Sequence, residues 1–127
     1  MIHPIEYRYG SDRMRAIFDE GKKLELELKV EAALARALAE LGVIPGEAAE
    51  TIGQKANLNF VKLERVKQIE EETKHDLMAM VKALTEVCGE AGKYVHLTST
   101  SYDIVDTAQA LQIKEAMEIL LEKGKVT

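Results

Sequence analysis

Four hydroxyl residues in a row, Thr98, Ser99, Thr100 and Ser101, follow a histidine, His96, and precede two carboxylates, Asp103 and Asp106. Ser and Thr compete with the backbone for hydrogen bonds, so such a run resists regular structure until one member caps a helix. Thr100 or Ser101 suits that duty, with Asp103 and Asp106 in the first turn and a half, where negative charge favours the helix dipole. The free N–H groups of that helix start, with the hydroxyls around them, are the parts needed to hold a small anion. Similar parts occur at Arg8-Tyr9-Gly10-Ser11 and at Lys74-His75-Asp76. Arg8 can fork onto a phosphate, and Tyr9 can pack on a base or add a hydroxyl contact. His75, beside Asp76 in a first turn, can donate to an anion or stand as a surface side chain. His96 follows the apolar pair Tyr94-Val95 and reads as a partly buried ring hydrogen-bonded to backbone. In isolation each of these is more often an ordinary cap than a site.

The elements that must position these residues read as helices. Residues 1–10 look like an extended arm, because Pro4 disfavours helical geometry at His3 and Gly10 permits a tight entry. Ser11 and Asp12 cap a helix expected to run to about Leu41. Its apolar face is Met14, Ile17, Phe18, Leu24, Leu28, Ala32, Ala35, Leu38 and Leu41, at three- and four-residue steps, with a bend at Gly21 and a stop at Gly42. A short helix follows Ile44-Pro45 to about Lys55, and Asn57-Leu58-Asn59 breaks the chain. The next spans Phe60 to about Glu72, with Leu63, Val66 and Ile69 inward. The run Glu70-Glu71-Glu72 fans around that helix and reads as a solvated face rather than a metal site. Thr73 and Asp76 resemble a capping-box pair. Leu77, Met80, Val81, Leu84 and Cys88 then line one clean stripe, ended by Gly89 and Gly92. The last helix, about Tyr102 to Glu122, carries Ile104, Ala108, Leu111, Ile113, Met117, Ile119, Leu120 and Leu121 around most of its circumference, and so requires partners on several sides.

Composition agrees with an all-α protein. Of 127 residues, 46% are hydrophobic and only 5% aromatic, with 2 Pro and no Trp. A net charge of −5 gives no overall attraction to nucleic acid or to an anionic membrane surface. Anion binding must therefore come from local groups. The single cysteine, Cys88, excludes an internal disulfide, fits a reducing, cytoplasmic setting and reads as a buried small hydrophobe. No apolar run is long enough to span a bilayer.

The order of residues from His96 to Ala108 adds a resemblance. It is similar to the second signature region of the fumarase/aspartase superfamily, and most similar to the adenylosuccinate lyase family, whose pattern is H-x-G-x-T-S-x-D-x-x-D-T-A. His96, Thr100, Ser101, Asp103, Asp106, Thr107 and Ala108 stand in register, while Thr98 replaces the glycine. That departure could stiffen the loop or narrow its approach to substrate. Arg8-Tyr9 and Lys74-His75-Asp76 match further family positions, with Lys74 in place of a common arginine.

The resemblance implies an N-terminal helical domain over residues 1–101 and the start of a central-bundle helix over 102–127. It implies a site in which Arg8 and Tyr9 lie near the nucleotide and Thr100 and Ser101 near the succinyl carboxylates. Lys74, His75 and Asp76 line the same site, with His75 and His96 in supporting catalytic roles. The reaction implied is β-elimination of fumarate from adenylosuccinate, leaving AMP, without cofactor or metal. The related succinyl-aminoimidazole-carboxamide ribotide would be cleaved likewise. A homotetramer is the family expectation. The family's serine-bearing flexible loop and its threonine-histidine segment are absent from this sequence. The 127 residues alone are therefore expected to be inactive. The rivals are another fumarate-releasing lyase, such as argininosuccinate lyase, and a non-catalytic helical module that binds partner helices through residues 104–121.

Overall fold

The computed structural model describes residues 8–126. In chain order the helices are α1 (Asp12–Ile17), α2 (Glu20–Glu40), α3 (Gly46–Lys55), α4 (Leu63–Thr73), α5 (Asp76–Cys88), a 3-10 helix (Gly89–Tyr94) and α6 (Ser101–Val126). Among the described residues there is no strand. The all-α expectation holds. Most of the arm expected over residues 1–10, including His3 and Pro4, lies outside the described residues. The part that is described is not extended: Arg8 has helical backbone and Tyr9 forms a turn.

Helix ends follow from local chemistry, with several departures from the sequence reading. Ser11 caps α1 as expected, its hydroxyl accepting from the Met14 N–H. The single long helix expected to Leu41 is two helices. The chain breaks at Phe18-Asp19, where the Asp19 carboxylate caps α2 by accepting from the Gly21 N–H. Gly21, expected to mark the bend, lies within the first turn of α2. Phe18 and Leu41, placed on the buried face by their spacing, are 55% and 77% exposed, because the break re-aims one and the C-cap turns out the other. Gly42 stops α2 in left-handed geometry (φ 71°), with its N–H on the Ala39 carbonyl and the Val43 N–H on the Leu38 carbonyl. Helix α4 begins at Leu63 rather than Phe60, since an Asn57-centred turn takes the N–H groups of Asn59, Phe60 and Val61. The Thr73–Asp76 capping pair does not form. Thr73 belongs to α4 and donates to the Ile69 carbonyl, while His75 caps α5.

Helix α2 is the axis of the molecule. It packs along α3 and α6, and touches α5 more lightly, while α4 lies along α5. Leu24, Leu28, Ala35 and Leu38 of α2 meet Ile44, Ala48 and Ile52, then Val66, Ile69, Leu77, Met80 and Leu84, with Ile104 closing the cluster. The stripe expected on α5 is buried throughout, Cys88 included, and burial pushes the Cys88 thiol up from its ordinary value. A smaller cluster joins Ile17 of α1 to Ala116 and Ile119 of α6. Beside it the buried Gln112 side chain donates to the Ile17 carbonyl at 2.9 Å, satisfying a group left free at the end of α1. Ile113, Met117, Leu120 and Leu121 stay exposed, so α6 is apolar on a second face.

Candidate functional site

The interior face of α2 is not wholly apolar. Glu31 is buried at 1% exposure and Glu27 at 6%, in step with Leu24, Leu28, Ala35 and Leu38. A carboxylate removed from water must be paired or it costs several kcal/mol, roughly. Each has a partner. Glu31 is paired with His96 of the hydroxyl loop, and Glu27 with Lys23 of its own helix, which in turn meets Asp76.

Glu31 faces the hydroxyl loop. Its Oε1 lies 2.6 Å from Nδ1 of His96, and the Ser99 hydroxyl lies 3.0 Å from the same nitrogen and 3.2 Å from the His96 carbonyl. Burial pushes the Glu31 carboxyl up from the usual carboxylate range, and the contact with His96 works against that rise. Ser99, His96 and Glu31 have the composition of a nucleophilic triad but not its wiring. In a triad the serine and the acid occupy opposite ring nitrogens, and here both occupy Nδ1. Acyl transfer through Ser99 is therefore not what this cluster does. His96 is the partly buried ring that was expected, though its partners are two side chains rather than backbone.

The loop geometry explains the hydroxyl run. His96 (φ 63°) and Thr98 (φ 67°) both adopt left-handed backbone, a conformation that costs a residue other than glycine roughly 1–2 kcal/mol. The glycine-to-threonine departure at Thr98 thus falls where glycine would be unstrained. Thr100 precedes α6, and the Asp103 carboxylate reaches back to accept from the Thr100 N–H at 2.9 Å. Ser101 is the first residue of α6 and is half-buried.

The Lys74-His75-Asp76 stretch has local duties. Lys74 ends α4 in left-handed geometry (φ 55°) and is exposed. Nδ1 of His75 accepts from the Met78 N–H at 3.2 Å, which caps α5 and leaves the ring proton on Nε2. Asp76 Oδ1 accepts from the Leu77 N–H, and its Oδ2 is 3.4 Å from Nζ of Lys23. That ammonium also lies 3.6 Å from Glu27. Burial acts to raise the Asp76 carboxyl, yet the Leu77 N–H and Lys23 outweigh it and hold Asp76 below the usual range. Glu27 moves the other way, pushed up by burial, with Lys23 only partly offsetting it.

Helix α2 therefore gathers two of the three predicted stretches on one stripe: Asp76 on Lys23 and Glu27, then His96 and Ser99 on Glu31. It does not gather the third. Arg8 and Tyr9 are exposed, Tyr9 at 79%, and among the described residues no hydrogen bond or ion pair joins them to the other two stretches. Sequence reasoning passed over Lys23, Glu27 and Glu31. The available signal was two carboxylates four residues apart, falling on the apolar stripe of α2 instead of beside it.

A lyase family model matches residues 6–125, and the chain belongs to that family. The adenylosuccinate lyase of Methanocaldococcus jannaschii is 61% identical over 125 residues, which are 98% of this chain and 27% of that protein. The adenylosuccinate lyase of Pyrococcus horikoshii is 64% identical over 119 residues, 94% of this chain and 26% of that protein. The chain thus spans about a quarter of the length of these curated relatives. Among solved structures, the 3-carboxy-cis,cis-muconate lactonizing enzyme of Pseudomonas putida superposes with a TM-score of 0.83 at 30% identity, over 92% of this chain and 28% of that one.

Proposed function

We propose that this chain supplies part of an active site that cleaves adenylosuccinate to AMP and fumarate. The observation that carries the proposal is 61% identity to an adenylosuccinate lyase over 98% of the chain. The placement of His96 and Ser99 on a buried carboxylate gives that likeness a chemical footing, because it fixes a polar loop at the start of a long helix. In this reading Thr100 and Ser101, with the N–H groups at the start of α6, receive the succinyl carboxylates. Arg8 and Tyr9 approach the nucleotide once substrate or further chain is in place. Lys74, His75 and Asp76 face the same substrate from the start of α5, and His75 and His96 support the polar network around it.

The reaction is a β-elimination. A base takes the proton from the succinyl carbon bearing the adjacent carboxylate, and that C–H pair becomes the new carbon–carbon double bond. The C–N bond breaks, its electrons stay on nitrogen, and an acid protonates the departing amine. Extra negative charge collects on one carboxylate before the C–N bond breaks, where helix N-termini and hydroxyls stabilise it. The succinyl-aminoimidazole-carboxamide ribotide would react in the same way. The reading extends to residues 1–101 as a helical domain and 102–127 as the first part of a central bundle. The exposed face of α6 would then be covered within a homotetramer in the cytoplasm.

A chimera tests the proposal. This chain replaces the matching quarter of the Methanocaldococcus jannaschii enzyme, and fumarate release from adenylosuccinate is followed. A folded, tetrameric chimera that cleaves adenylosuccinate supports the reading, and one that binds and cleaves nothing removes it.

A further inference from the structure

The Glu31–His96 pair is placed as a positioning device would be, and its proton arrangement can be worked out. Two oxygens, Glu31 Oε1 at 2.6 Å and Ser99 Oγ at 3.0 Å, surround Nδ1 of His96. One N–H can be shared between two acceptors, whereas one in-plane lone pair cannot serve two donors well. Ser99 already has an acceptor for its own proton, the His96 carbonyl at 3.2 Å, which leaves its lone pairs free to accept. Nδ1 is therefore the donor. Among the described residues Nε2 has no partner and no buried side-chain nitrogen or oxygen lacks one, so Nε2 is the ring atom that reaches the outside. The ring as a whole is only 11% exposed.

We infer that Glu31 is a positioning residue: it fixes His96 with the proton on Nδ1 and presents Nε2 outward, as an unprotonated nitrogen on the neutral ring, toward a ligand at the start of α6. The inference rests on the reading of that region as a substrate site, but the proton placement can be tested separately. Packing alone does not account for Glu31. It stands between Leu28 and Ala35 on the most buried face of α2, where an apolar residue of equal length would fill the space without desolvating a charge. What Glu31 supplies and such a residue would not is a fixed acceptor for one imidazole nitrogen. Ligating and catalytic histidines owe their tautomer to such a second partner.

The test uses the full 127-residue chain, labelled with 15N at histidine, and long-range 1H–15N correlations on the neutral ring. The native chain should show Nδ1 as the protonated, pyrrole-type nitrogen and Nε2 as the bare, pyridine-type one. Glu31→Met keeps the length and removes the acceptor, and should give a mixture of both tautomers while the amide spectrum of the core remains dispersed. Glu31→Gln, which keeps the shape and a weaker acceptor, should fall between the two and serves alone if the methionine variant does not fold. A native ring protonated on Nε2, or variants with the native tautomer ratio, would overturn the inference. AMP and fumarate added to the native chain supply a separate readout. A fixed tautomer with no ligand response at His96 would keep the positioning role and remove the substrate-site reading. A shift at Nε2 that is lost in the Glu31 variants would support both.

Discussion

Replacing Thr98 by glycine should make the chain more stable, although it removes a side chain and adds freedom to the unfolded state. Thr98 holds a φ of 67° on an exposed loop, and its hydroxyl has no hydrogen-bond partner among the described residues. Left-handed geometry costs an L-residue roughly 1–2 kcal/mol, and a β-branched side chain belongs at the upper end. Glycine avoids that cost but loses roughly 0.5–1 kcal/mol more backbone entropy on folding. The difference is a gain of about 1–1.5 kcal/mol, or about 3–6 °C in Tm for a chain of this length. Thermal and urea unfolding followed by circular dichroism would measure it. Thr98→Val is the control, since it keeps the branched shape and deletes the hydroxyl, and it should match the native chain. Thr98→Asn should fall between valine and glycine, because asparagine tolerates this geometry. A glycine variant less stable than the native chain would refute the reasoning. So would a marked loss in the valine variant alone, which would mean that the hydroxyl matters and the backbone does not.

Other substitutions probe different parts of the same argument. Gly92→Ala would put a Cβ 2.7 Å from the Thr85 carbonyl oxygen and 2.8 Å from its Cγ2, and should cost roughly 1–3 kcal/mol in urea unfolding through overpacking. His75→Ala removes the cap of α5 and should cost about 1 kcal/mol, with the loss read as faster amide exchange at Met78. His96→Ala leaves Glu31 buried without its partner and should cost roughly 3–5 kcal/mol, a loss that the double variant with Glu31→Met should largely recover. Glu27 supplies a pH signature. Its carboxyl is raised in the folded chain, so its favourable contribution is complete below the ordinary glutamate value and disappears as pH rises through the raised value. Glu27→Gln should therefore gain on the native chain as pH climbs through that window, measured as the difference in urea midpoints. Asp76, held below its usual range, acts in the opposite sense at lower pH, where its contribution is lost as pH falls through its lowered value.

Much of the fold was legible because it is written in local chemistry. Ser11, Gly42 and Gly89 end or begin helices for reasons that need only their neighbours, and the α5 stripe follows from spacing. The errors arose where two local signals competed. Gly21 looked like a breaker, and Asp19 drew no reading at all. In the first turn of a helix, however, glycine is tolerated and an acid two residues before it is a cap. The break at Phe18 followed from Asp19. Of the candidate site, the hydroxyl run, His96 and Asp76 are conspicuous by type, but the α2 residues they rest on are not. Glu31 is 65 residues from His96, and a contact over that separation leaves no periodic trace in either segment. The only hint was a charge on an apolar stripe, which spacing by itself assigns to imperfect amphipathicity.

The same long-range contact ties the candidate site to the core more tightly than a surface loop would require. Lys23, Glu27 and Glu31 recur every four residues along α2, and the start of α5 and the loop before α6 each meet a different member of that row. Apolar contacts on the neighbouring faces tolerate small slips, because one leucine packs about as well as the next. The polar row does not. If the loop moved one turn along α2, His96 would face Glu27 and compete with Lys23, while Glu31 would lie buried and unpaired at a cost of several kcal/mol, roughly. The carboxylates thus select one register between α2 and the elements that carry His75–Asp76 and His96–Ser101. They weaken the core that surrounds them, and in exchange they set where the two polar helix starts stand relative to each other. A ligand that touched both starts would meet an arrangement fixed before it arrived, with little ordering left to do on binding.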